Sequence, residues 1–264
     1  MADDFSGERL EAARIPDLPD AMYYIADFIS AYEEEQILAK LPPKRWTTLS
    51  HRRLQAHPST LTASNTLLAA PLPAYLTSSP APLAARFEQL GIFALTPHRA
   101  PNHCLVNEYR RGEGIMAHED GAAYAPVVAT VSLGGTVVLE VTPKRREDGD
   151  GDGEKQALDG PAQQQQQQQT RRIVCAPRSL LVTVRSAYTT TLHGIPDVEA
   201  DEDLGPATVA NWELLGDEAR TKYEEAGGRN ERGTRVSLTF RDVLKVAKAG
   251  GLGKILGGGG KRLV

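Results

Sequence analysis

A mainly β fold of sandwich or barrel type with flanking helices is what this sequence predicts. Two observations carry the expectation. After residue 100 the chain breaks into short β-branched runs separated by glycine, and before that point two stretches show helical periodicity with start and stop signals.

The helices come first. Ser30 is followed three residues later by Glu33, then by Ile37, Leu38 and Leu41 before Pro42-Pro43, the pattern of a capping box opening an amphipathic helix that proline stops. Over residues 82–90, Leu83, Phe87 and Leu90 share a face, and Gly91 is placed for a left-handed C-terminal cap. Strands are predicted at 102–109, 127–133, 136–141, 172–175, 179–184 and 234–243. The chain therefore divides into a helical N-terminal part (15–100) and a β core (101–243), read as one domain. Residues 144–170, acid- and glycine-rich with seven glutamines (Gln163 to Gln169), lack the apolar content to fold and are expected as a mobile insertion. Residues 197–232 are expected as a second, acidic one with a short helix near 212–223. The tail, 244–264, has five basic residues, no acids and seven glycines.

Composition narrows the setting. The 264 residues are 41% apolar, enough for one good-sized core. The stretch 125–139 holds Pro126, Thr130, Ser132 and two glycines, so it falls short of the roughly 18 apolar residues a membrane helix needs. No membrane partner is expected. Asp3 and Asp4 stand where a secretory signal would be basic. With only Cys104 and Cys175 there is no disulfide framework; both are expected in the core, and the compartment is expected to be reducing, cytoplasm and nucleus. The net charge of −4 is unevenly spread: 197–225 carries ten acids against two basic residues, leaving the remainder positive.

Chemistry enters at His118-Glu119-Asp120. A histidine and a carboxylate two apart point the same way from an extended segment and can share a metal ion. A second imidazole is needed, and of the six histidines only His193 lies downstream. A sandwich folding back on itself after 179–184 could bring it beside His118; a surface turn and an ordinary hydrogen-bonded histidine are the alternative. Arg235, Ser237, Thr239 and Arg241 share one strand face, and Val236, Leu238 and Phe240 the other. The apolar face must be buried. If the polar face also looks inward, an unpaired buried guanidinium costs roughly 3 to 5 kcal/mol, so an anion belongs beside it. Asn107 and Tyr109 share a face of an earlier strand and offer an amide and a phenol.

These motifs resemble the AlkB-type iron(II)- and 2-oxoglutarate-dependent dioxygenases, most closely an animal branch of that family. The resemblance rests on Asn107-Glu108-Tyr109, Gly112-Glu113-Gly114-Ile115-Met116, His118-Glu119-Asp120, His193 and the run from Arg235 to Arg241. It extends from about Ile15 to Lys254, through Lys44-Arg45-Trp46, Arg53-Leu54-Gln55, Pro101-Asn102-His103, Pro177-Arg178-Ser179 and Ala187-Tyr188-Thr189. It implies a double-stranded β-helix (jelly roll) with helices buttressing one sheet. It further implies that His118, Asp120 and His193 bind Fe(II), and that Arg235, beside Tyr109, holds the distal carboxylate of 2-oxoglutarate. Asn107, Ser237 and Arg241 would lie at the co-substrate's other end or brace the metal carboxylate. With O2 as the further co-substrate, the implied reaction is oxidative demethylation of N-alkylated nucleic acid, DNA or RNA, giving succinate, CO2 and formaldehyde. Trp46, Arg52 and Arg53 are the candidate substrate contacts, as a stacking face with phosphate-binding cations. The sequence departs from many base-repairing members just past Asp120, where Gly121 and Ala122 stand in place of a further carboxylate. A protein side-chain hydroxylase or demethylase, and a non-catalytic jelly-roll binding module, are the alternative functions.

Overall fold

The computed structural model describes residues 8–16, 18, 21–144 and 170–248. The strands are β1 (Met22–Ile25), β2 (Thr47–Thr48), β3 (Arg53–His57), β4 (Thr66–Leu68), β5 (His103–Tyr109), β6 (Ile115–His118) and β7 (Tyr124–Gly134). After them come β8 (Val137–Pro143), β9 (Arg171–Cys175), β10 (Leu180–Val184), β11 (Thr191–Ile195), β12 (Ala200–Asp201), β13 (Asn230–Glu231), β14 (Arg235–Val243) and β15 (Lys245–Ala247). A seven-stranded sheet runs β1-β10-β7-β14-β5-β3-β2, and a four-stranded sheet runs β6-β11-β8-β9. Both are antiparallel throughout, and they form the two walls of a jelly roll.

The alternation of side chains across the large sheet separates its two faces. Cys104 and Val106 of β5, Val127, Ala129, Val131 and Leu133 of β7, and Val236, Leu238 and Phe240 of β14 belong to one buried cluster. That cluster includes helix α1 (Ala31–Lys40) through Ile37, and helix α2 (Leu83–Gln89) through Leu83 and Phe87. The rings of Phe87 and Phe240 lie 5.1 Å apart. The intervening residues (Leu105, Asn107, Thr130, Ser237, Thr239) face the smaller sheet instead. One face is therefore fixed by helix packing, which frees the other to line a cavity.

Helix α1 starts as expected: the Ser30 side chain accepts from the Glu33 amide, and the Glu33 carboxylate accepts from the Ser30 amide at 2.8 Å. Arg86 of α2 donates to the same carboxylate at 2.7 Å, tying the two helices together. Gly91 has φ 66°, the left-handed conformation expected after α2.

Three expectations need correction. The N-terminal part is not wholly helical, since β1, β2 and β3 join the large sheet. β1 is apolar at every position because both faces are covered, Tyr23 by one cluster and Met22 and Tyr24 by the other, so no period of two is visible. β3 alternates polar and apolar residues, yet it is Gln55 and His57 that are buried: they bond each other, and Gln55 also donates to the Pro42 carbonyl. The acidic segment 197–232 packs on the body and is not a detached insertion. Leu204, Val209, Trp212, Leu215 and Tyr223 enter the second core cluster, and Asp201 is ion-paired with Arg232, both almost fully buried. Its helix content is a short turn, Trp212–Leu214, and helix α4 (Asp217–Glu225). It follows helix α3 (Arg185–Thr190), which was not expected. The tail begins with β15, paired in parallel with β4. Residues 145–169, which hold the glutamine run, and 249–264 lie outside the described residues.

Phe240→Ala is expected to destabilise the fold by about 3–5 kcal/mol, read as a lowered urea midpoint with an unchanged m-value. Burial, with help from Arg45 at His57 and from Arg241 at His103, lowers the pKa of both imidazoles to about 4. The unfolded chain therefore binds more protons between pH 6.5 and 4, and stability should fall as pH drops through that window. His103→Gln should make that fall shallower in urea titrations run at several pH values.

Candidate active site

A cavity of about 300 Å³ lies between the two sheets. From the large sheet, β5 and β14 are paired so that Arg235 sits opposite Tyr109 and Ser237 opposite Asn107. All four line the cavity, as does Arg241. From the small sheet, His118 of β6 and His193 of β11 are direct cross-strand partners with ring centroids 4.4 Å apart. Asp120 follows two residues after His118. One ligand atom from each of His118, Asp120 and His193 lies within 4.8 Å of the others, a two-imidazole, one-carboxylate set that could hold a divalent metal. Gly194 allows this approach: a Cβ there would meet the Ala117 amide nitrogen at 2.9 Å and Cα at 3.1 Å, backbone of the strand that carries His118.

The local electrostatics suit ligation. Burial lowers the His193 pKa to about 4, against the pull of Asp120, so the imidazole is neutral at neutral pH. His118 Nδ1 lies 2.9 Å from the Met116 carbonyl oxygen. A carbonyl only accepts, so Nδ1 carries the proton and the lone pair is on Nε2. Arg241 donates to one Asp120 oxygen at 2.5 Å, and its guanidinium lies 5.0 Å from the centre of the Tyr124 ring.

Deeper along β14 the cavity has the character of an anion site. Arg235 is 3% exposed, donates to the Ser132 hydroxyl at 3.0 Å, and has no acidic partner among the described residues. Its Nε, the Arg241 Nε and the Asn107 Oδ1 are buried without hydrogen-bond partners. The Tyr109 ring lies 5.8 Å from the Arg235 guanidinium, and burial, outweighing three nearby arginines, raises its pKa and keeps the phenol a donor. A buried guanidinium without a counter-charge is costly, and a carboxylate forks onto it well. The donor set thus fits Fe(II) at one end and a dicarboxylate such as 2-oxoglutarate at the other.

Of the substrate candidates, only Arg52 lines the cavity. Arg53 faces the other side of the sheet because it is paired with Glu108, not with Asn107 or Tyr109. It bonds that carboxylate at 2.6 Å and lies 4.5 Å over the Trp46 ring. Trp46 itself packs on the helix-facing cluster. Sequence reasoning missed Ser132, Tyr124 and Tyr188 as cavity-side residues. The alternation of β7 (Val128, Thr130, Ser132) carried the signal for the first. Lys144 was missed as well: it contacts Glu119 and donates to the Thr189 carbonyl at 2.6 Å, holding the loop that carries Asp120. Cys104 and Cys175 are buried and free, and burial raises both thiol pKa values, in keeping with core roles.

The chain is similar in sequence to known proteins. The family model of the 2OG-Fe(II) oxygenase superfamily matches residues 21–241. "Probable RNA/DNA demethylase ALKBH6" of Danio rerio is 35% identical over 243 residues, 91% of this chain and 93% of the relative. "Uncharacterized protein L905" of Acanthamoeba polyphaga mimivirus is 25% identical over 84% of each chain. Among solved structures, that of OsALKBH1 aligns with a TM-score of 0.48 and 15% identity, over 85% of this chain and 99% of the other.

Anaerobic calorimetry with Fe(II) is expected to show binding that is lost in His193→Ala and kept in His103→Ala. Gly194→Ala removes no ligand but displaces β6, and should weaken binding by about 10- to 100-fold, the range seen when the support behind metal ligands is lost.

Proposed function

This chain belongs to the 2OG-Fe(II) oxygenase superfamily and is a dioxygenase requiring Fe(II), 2-oxoglutarate and O2; on that premise we propose that it demethylates N-alkylated nucleic acid. The observation that carries the chemistry is the convergence of His118, Asp120 and His193 in one cavity with Arg235, a buried arginine that has no counter-charge among the described residues. The kind of substrate is supported by the relative from Danio rerio, whose name gives it as an RNA/DNA demethylase.

In this reading His118, through Nε2, together with His193 and Asp120 would hold Fe(II). When bound, Fe(II) and 2-oxoglutarate supply, with O2, oxidation of a C–H bond coupled to release of succinate and CO2; on an N-methyl carbon the outcome is loss of formaldehyde. Arg241 fixes the Asp120 carboxylate by occupying one of its oxygens. Arg235 clamps the distal carboxylate of 2-oxoglutarate, with Ser132 orienting the guanidinium and the Tyr109 phenol donating beside it. Asn107 and Ser237, opposite one another on β5 and β14, contact the other end. The apolar walls, Leu139, Val141 and Leu181, keep water from the reacting centre. Arg52 stands ready for the substrate. The free buried thiols and a ferrous ion suit a reducing compartment, cytoplasm and nucleus.

Incubation with N-methylated oligonucleotides is expected to release formaldehyde and succinate in equal amounts, with affinity falling steeply as salt rises. Succinate formed with methylated peptides but not with oligonucleotides would favour a protein substrate instead. Arg235→Gln should raise the KM for 2-oxoglutarate by about 10- to 100-fold, the loss of one charge-assisted pair, while leaving Fe(II) binding intact.

A further inference from the structure

The walls of the cavity carry a charge imbalance that bears on substrate choice. Three guanidiniums, Arg52, Arg235 and Arg241, line it, and among the described residues Asp120 is the one carboxylate that does. Asp120 is already bonded to Arg241 and belongs to the metal set. Of the acids outside the lining, Glu119 is paired with Lys144, and Asp197 is half exposed and lies 3.3 Å from the His51 imidazole. Arg52 has no acidic partner among the described residues, and its Nε is buried without a hydrogen bond. With Fe(II) and the 2-oxoglutarate dianion in place beside Asp120, two positive charges in this cavity remain uncompensated.

Aromatic rings can also receive a cation, but two of the rings here are taken by the protein's own arginines. Arg241 lies over Tyr124 at 5.0 Å and Arg235 over Tyr109 at 5.8 Å. Tyr188 remains, with its hydroxyl donating to the Gly121 carbonyl at 3.0 Å. A base with a formal positive charge would enter against the excess of like charge, in a site with low-dielectric walls, and find no acid to meet it. A neutral base offers ring nitrogen and carbonyl acceptors to Arg52 without that opposition.

Resting on the nucleic-acid reading above, we propose that the substrate carries its alkyl group on an electrically neutral base, and that the guanidinium-rich cavity discriminates against alkylated bases with a positive charge. Gly121 offers a direct way to invert this. It lines the cavity, and a Cβ there would meet no atom within 4 Å, so the backbone at this position has room for a side chain through which aspartate adds negative charge.

The test uses one oligonucleotide sequence containing either N6-methyladenine or N1-methyladenine, isomers that differ at neutral pH by one proton and one positive charge. Binding to the Fe(II)- and 2-oxoglutarate-loaded protein is measured by fluorescence anisotropy without oxygen, and formaldehyde release is measured after oxygen is admitted. The neutral isomer is expected to bind about tenfold or more tightly than the cationic one, the discrimination one poorly screened charge supplies. Gly121→Asp should narrow that ratio, and Arg52→Gln should narrow it as well. A cationic isomer bound and turned over as well as the neutral one would overturn this inference while leaving the nucleic-acid reading in place. Binding of both no tighter than the unmethylated strand, with no formaldehyde from either, would overturn the nucleic-acid reading and this inference with it.

Discussion

Burial of two guanidinium groups on the central strand of the large sheet is the constraint around which the rest of the site is organised. Arg235 and Arg241 are 3% and 6% exposed, on a strand buried at every position. Such charges persist in a folded core only where compensation is built in. Arg241 has Asp120. Arg235 has a serine hydroxyl and an aromatic ring, which orient it without neutralising it. One arginine is thus satisfied by the protein and braces the metal carboxylate, while the other is completed by what the protein binds. Their spacing of six residues on one strand sets the separation between the metal end and the anion end of the cavity.

The apolar half of the same strand explains how this charge is tolerated. Val236, Leu238 and Phe240 bury against α2 and the turns around it, and their packing is independent of what occupies the cavity. The strands on either side of β14 repeat the division, so three adjacent strands present a hydrophobic face to the helices and a functional face to the smaller sheet. The stability of one face supports the chemistry of the other.

Much of this was legible in the sequence because β14 alternates so regularly. Period two over Arg235 to Arg241 separates the faces without any knowledge of the fold, and His193 is picked out by being the lone histidine downstream of His118. The helix start at Ser30 was legible because a capping box is a local device. What was not legible depends on contacts distant in sequence. β1 shows no period of two because it is covered on both sides, and β3 alternates with its buried positions polar, Gln55 and His57, which satisfy each other. The acidic segment after Asp197 looks solvated by charge, but it anchors through a few large residues, Trp212 and Tyr223 among them, too widely spaced to form a period. Trp46 and Arg53 read as a stacking platform for a base. The pairing of Arg53 with Glu108 places that stack on the wrong side of the sheet.

The position of β14 also has a consequence for assembly. It lies between β5 and β7 in space but after both of them, and after most of the other strands, in chain order. Until it arrives, its two neighbours are separate ribbons with open edges, and neither half of the sheet can recruit the other. A polypeptide emerging from the ribosome must therefore wait for residue 235 and beyond before its largest sheet can zip shut. Such late, long-range closure makes for slow folding and leaves nascent or truncated chains dependent on protection from edge-to-edge association.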